Sequence, residues 1–139
     1  MRALLCVGNS RLGDDALGPV FARAFRDPAW RVWNGGIAPE NCAASIRRAA
    51  PTLLVILDAA DFPGPPGEIR EFPLSALESH SFSTHAQSLS LLARYLAPSI
   101  PSIRFFGIRP ATLHPTPTPR LSPPVRQSLR HFASLLRSL

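Results

Sequence analysis

The stretch Leu53-Leu54-Val55-Ile56-Leu57-Asp58 reads as a strand with both faces covered. Its apolar run is continuous rather than alternating, as in a parallel strand that carries helices on either side. Asp58 ends the run. Upstream, Ala3–Gly8 is a second apolar strand that opens into Gly8-Asn9-Ser10, a loop signal. Leu17, Val20, Phe21 and Ala24 then fall at i, i+3, i+4 and i+7, one stripe of a helix. Pro19 has to lie in the first turn of that helix, because a later position would lose a backbone hydrogen bond. The helix therefore starts close to Asp14-Asp15, with both carboxylates near its positive end.

The same reading extends along the rest of the chain. Arg31–Trp33 is a short strand before Gly35-Gly36. Pro39 suits an early helical position, and Cys42, Ile46 and Ala49 form a weaker helical face. Pro63–Gly67 is a turn, and Glu68–Phe72 alternates as an edge or antiparallel strand does. Leu89, Leu92, Ala93 and Leu96 mark a helix stopped by Pro98, and Ile103–Ile108 is a further strand before a proline-rich loop. Ser122 is placed to cap a last helix with Pro123 or Pro124 in its first turn and a buried stripe of Val125, Leu129, Phe132, Ala133 and Leu136. Strands alternating with helices predict an α/β fold, a mostly parallel sheet with helices on both faces, in one domain over residues 1–139.

Composition narrows the function classes. The chain has 139 residues, 45% hydrophobic and 17% charged, a globular balance. No run reaches the ~18 apolar residues of a membrane span, and the apolar start is too short for a secretion signal. The expectation is a cytoplasmic protein with no membrane insertion. Cys6 and Cys42 form no metal-type pair, so any metal must be held by Asp, Glu and His. The net charge is +6, and all 15 basic residues are arginine. They are scattered, with no basic arm and no aromatic interleaving, which argues against nucleic acid and is compatible with an acidic protein partner.

Ligands of open α/β sheets bind beyond the carboxyl ends of the strands. The residues that follow each apolar run are therefore the candidates, and among them are Asp15, Asp58 and His85. Two carboxylates and an imidazole without a thiolate suit a divalent ion such as Ni²⁺ or Zn²⁺. Their spacings match no compact metal motif, so only the fold argument joins them. The plainer alternatives are helix N-terminal carboxylates for Asp14 and Asp15, a turn residue for Asp58 and a solvated loop residue for His85. His80, His114 and His131 read as surface residues, Cys6 as core, and Trp30 and Trp33 as packing residues. Gly8 to Gly13 lacks the Lys-Ser/Thr of a phosphate loop and the Gly-x-Gly of a dinucleotide site, and no Gly-x-Ser-x-Gly is present.

Several stretches, taken in order, carry a resemblance. They are Leu4-Leu5-Cys6-Val7-Gly8-Asn9-Ser10 with Gly13-Asp14-Asp15 and Gly18-Pro19; Gly35-Gly36; Ala38-Pro39-Glu40-Asn41; Asp58-Ala59; Pro66-Gly67-Glu68-Ile69-Arg70; Thr84-His85; and Gly107-Ile108-Arg109-Pro110. Together they resemble the hydrogenase maturation endopeptidases, in particular those serving nickel–iron hydrogenases of the formate-hydrogenlyase type. The resemblance implies a three-layer α/β/α fold around a twisted five-stranded sheet. It implies that Asp15, Asp58 and His85 bind the nickel of a hydrogenase large-subunit precursor, and that the precursor loses its C-terminal extension once nickel is inserted. Nickel would then arrive with the precursor. Asp15 or Asp58 would hold the attacking water as base. The family usually carries an aspartate before the second-loop glycines, implicated in cleavage; here that position is Asn34. Asparagine keeps the hydrogen bonds but cannot act as a base. If that carboxylate were essential, the protein would be a non-catalytic checkpoint that binds nickel and precursor.

Overall fold

The apolar runs become the central strands. In the computed structural model, which describes residues 1–79 and 81–139, β1 (Arg2–Val7) and β3 (Leu53–Ala59) lie side by side and parallel, Leu4 opposite Val55 and Cys6 opposite Leu57. Strand β2 (Trp30–Gly36) flanks β1, β5 (Ser102–Ile108) flanks β3, and β4 (Ile69–Phe72) closes the far edge antiparallel to β5. The order is β2-β1-β3-β5-β4. Chain direction reverses its lateral progress between β1 and β3, so the loops leaving these two strands diverge and open a crevice at their carboxyl ends.

Helices α1 (Leu17–Ala24) and α4 (Pro123–Arg137) cover one face, and α2 (Ala43–Ala49) and α3 (Ala86–Leu96) the other. The strand period of two sorts each side chain to a layer. Leu4, Cys6, Val55 and Leu57 join Phe21, Phe106 and Phe132. Ala3, Leu5, Leu54 and Ile56 join Ile46, Leu89 and Leu96. By the same alternation Asp58 points to the α3 side.

Several expectations change in detail. Strand β2 is longer than Arg31–Trp33 and runs through both glycines. The turns Gly13–Ala16 and Pro39–Cys42 are 3-10 helices that lead into α1 and α2, and a third spans Leu74–Glu78. On α1 the apolar stripe is only partly covered: Leu17 and Phe21 are buried, Val20 is half-buried and Ala24 is exposed. Ala133 on α4 is likewise half-buried. Ser122 occupies the N-cap position of α4, yet its hydroxyl does not cap the helix; it donates to Asp14 Oδ2 at 2.8 Å. The rotamer that turns the hydroxyl toward the buried carboxylate carries its oxygen away from the helix N–H groups that a cap would have to accept. Cys6 is buried, and burial pushes its thiol far up. Trp30 is buried, and Trp33 packs half-buried with its Nε1 donating to Ser45 Oγ at 3.0 Å. His114 and His131 are exposed, and His80 lies outside the described residues. Among the described residues no helix is long and apolar enough to cross a membrane.

Candidate active site

The crevice between β1 and β3 gathers the three predicted residues. One ligand atom from each of Asp15, Asp58 and His85 lies within 4.8 Å of the others. Asp15 comes from the 3-10 turn after β1, Asp58 from the end of β3, and His85 from the residue before α3. A Cβ on Gly8 would stand 2.0 Å from the Asp15 carbonyl oxygen, and one on Gly18 2.2 Å from the Val7 carbonyl oxygen. Both glycines are therefore the condition for the Asp15 turn to fold so closely over the strand.

Each side chain is held. Asp15 Oδ2 accepts the Asn9 N–H at 2.8 Å and lies 3.3 Å from His85 Nε2. Asp58 Oδ1 accepts the Ala59 N–H at 2.8 Å, and Oδ2 accepts the Ser83 hydroxyl at 2.5 Å. Ser83 Oγ in turn accepts the His85 N–H at 3.1 Å, so one buried serine joins Asp58 to the backbone of His85. Burial pushes the Asp58 carboxyl up to about 8, with the Asp15 charge adding to it and His85, Ser83 and Ala59 working against it. Burial opposes the charged form of His85, but the hydrogen bond to Asp15 and the charges of Asp58, Asp15 and Glu40 outweigh it and raise its pKa.

This donor set fits a divalent cation. Its ligand atoms converge to within a small adjustment of the separations that metal bonds of about 2 Å require. A carboxylate driven toward its neutral form by burial, with a second carboxylate beside it, is also the group a cation would return to charge. Two oxygens and one nitrogen leave coordination positions open for water or substrate.

A cleft of about 330 Å³ leads away from Asp15 and Ser83 past Ala60 and Phe82 to Arg109 and Leu113. Arg109 is ion-paired with Asp61 at its wall. Asn34 stands at the carboxyl end of β2, two strands from Asp58, exposed, with its side-chain oxygen accepting the Gly36 N–H at 3.2 Å. It shares the rim with the cluster but is engaged with its own turn.

Asp14 plays a part that spacing did not show. It is fully buried and accepts the N–H groups of Ala111, Thr112 and Ser122 and the Ser122 hydroxyl. It sits, as expected, in the first turn of the helical stretch that leads into α1, and its carboxylate ties both ends of the proline-rich segment 111–122 beside Asp15. The hydroxyl link through Ser83 was equally hidden. The only sign of it was its place two residues before His85.

Fold and site define a small doubly wound α/β protein with a carboxylate–imidazole centre at its topological switch point. The chain belongs to the hydrogenase maturation protease family: the family model described as HycI, hydrogenase maturation protease, matches residues 18–138. It is 43% identical over 111 residues to the hydrogenase 3 maturation protease of Escherichia coli K12, covering 77% of this chain and 71% of that one. The solution structure of the endopeptidase HycI from Escherichia coli superposes with a TM-score of 0.86 at 32% identity, over 99% of this chain and 90% of that one. The crystal structure of a [NiFe] hydrogenase maturation protease HycI from Thermococcus kodakarensis gives 0.82 at 27% identity, over 99% and 90%. The expected family and the α/β fold with its five-stranded, mostly parallel sheet are thereby borne out.

Proposed function

We propose that this protein is an endopeptidase that removes the C-terminal extension of a nickel–iron hydrogenase large-subunit precursor after nickel insertion. The observation that carries the reading is the convergence of Asp15, Asp58 and His85 beside an open cleft that Asp15 lines, in a chain of this protease family. Nickel belongs to the substrate and arrives with the precursor, so the three residues test whether insertion has taken place. Held there, the ion would polarise an oxygen of the neighbouring peptide or water.

The chain's own residues supply the rest. Ser83 fixes Asp58 and His85 relative to each other, and the Asn9 N–H fixes Asp15. One of the two aspartates holds the attacking water and takes its proton as the water oxygen adds to the scissile carbonyl carbon; the same proton passes to the leaving amine as the peptide C–N bond breaks. Asn34 contributes hydrogen bonds at the rim without charge, so the base is Asp15 or Asp58. The setting is the cytoplasm, where Cys6 and Cys42 stay reduced.

A second reading rests on the same asparagine: a checkpoint protein that binds nickel-loaded precursor without cutting. One experiment separates the two. Nickel-loaded precursor is incubated with the wild-type protein and with His85→Ala, and tail loss is followed by mass spectrometry. Tail loss with the wild type alone is the expected result. An intact tail despite nickel-dependent binding would favour the checkpoint protein, and neither cleavage nor binding would overturn both.

A further inference from the structure

The face of α1 and α4 carries apolar surface that the fold covers only in part: Ala24 is exposed, and Val20 and Ala133 are half-buried. Val20, Ala24, Leu129 and Ala133 floor a groove of about 320 Å³ between the two helices. A second depression of about 440 Å³ continues it toward Leu121 and shares Val20, Leu129 and Arg130 with the first. The two form one trough along the α1–α4 contact.

Its rim is arginine. Arg26 and Arg137 flank one end, Arg130 the middle, and Arg120 and Arg126 the other. Asp27 meets Arg137 at 3.4 Å. Among the described residues Arg26 and Arg126 reach only backbone carbonyls, Arg26 those of Ala22 and Phe25 and Arg126 that of Leu121. The imbalance is built into the chain: Glu78 is its last acidic residue, and neither α1 nor α4 contains one. Like charges around a low-dielectric floor concentrate a positive field there.

We propose that this trough docks an acidic, amphipathic segment of the large-subunit precursor, with apolar side chains on the floor and carboxylates against Arg120, Arg126 and Arg130. The inference rests on the processing reading above. A second copy of the chain would set arginine against arginine. The floor is aliphatic at its surface, and its aromatic residues Phe21 and Phe25 are buried, which leaves no ring for bases to stack on. The trough also connects with the cleft: segment 111–122 runs from the cleft wall to Leu121, and the single carboxylate of Asp14 holds both of its ends. A precursor seated on α1 and α4 is thus within reach of the catalytic rim.

The test is a charge reversal, Arg126→Glu with Arg130→Glu, beside a control of equal charge change on the opposite face, Arg48→Glu with Arg94→Glu. Affinity for nickel-loaded precursor and the kinetics of tail removal are measured at low and high salt. The trough variant should raise Kd and KM at least about tenfold, with the loss falling on KM rather than kcat. The control should bind as the wild type does, and the salt sensitivity of the wild type should shrink in the trough variant. Neutral Arg126→Gln with Arg130→Gln should fall between. Unchanged affinity in the trough variant, an equal loss in the control, or equally tight binding of random-sequence duplex DNA to the wild type would overturn the proposal. Binding lost in the trough variant while neither protein cuts would uphold docking and refute processing. A wild type that neither binds nor cuts refutes both.

Discussion

At the scale of single residues, Asp58 is strongly altered by the fold. The unfolded chain releases its proton near the ordinary carboxylate value, whereas the folded protein keeps it up to about pH 8. A folded pKa above the unfolded one stabilises fully below the unfolded value, and that stability fades as pH rises through the folded value. His85 acts in the same direction, since its folded pKa is also raised. The metal-free protein should therefore melt at a lower temperature near pH ~8.5 than near pH ~5.5, and Asp58→Asn should flatten the slope. Thermal melts followed by circular dichroism across that range test this. An identical slope in wild type and variant would show that Asp58 titrates normally.

At the scale of elements, the segment between β5 and α4 depends on one side chain. Its prolines supply few backbone donors, and the N–H groups of Ala111, Thr112 and Ser122 converge on Asp14. Asp14→Ala leaves these part-buried donors without their carboxylate and opens a fully buried site. The expected cost is about 3 kcal/mol of unfolding free energy, with a rise in KM as the cleft wall loosens. Urea titration measures the first and precursor kinetics the second. A loss below about 0.5 kcal/mol would mean that the segment is held by its other contacts, such as the Leu12–Pro115 bridge.

At the scale of the whole molecule, two apolar cores share one sheet, and residues of β1 and β3 contribute to both by alternation. Loss of either helical layer would expose the strands on which the other layer packs. Unfolding should therefore be one cooperative transition. Trp30 lies in the α1–α4 core and Trp33 against the α2–α3 core, so the two report on opposite faces. In Trp30→Phe and Trp33→Phe variants, the remaining tryptophan's fluorescence should follow the circular dichroism curve in urea. Separate midpoints would show two independently melting layers.

The layering, the parallel centre of the sheet and the candidacy of Asp15, Asp58 and His85 were all legible in the sequence. They follow from local rules: continuous apolar runs make doubly covered strands, and functional residues sit where such runs end. Other features were decided only by tertiary structure. Asp14 pairs with donors about a hundred positions away, Ser83 bridges two residues that no spacing relates, and Asn34 turns back on its own loop. Periodicity also marked the apolar stripe of α1 without its coverage, because a hydrophobic pattern records which face avoids water but not how far the neighbouring helix extends over it. Periodicity and run length report on short-range backbone geometry. Which buried donor meets which carboxylate depends on where the loops cross after the sheet has formed.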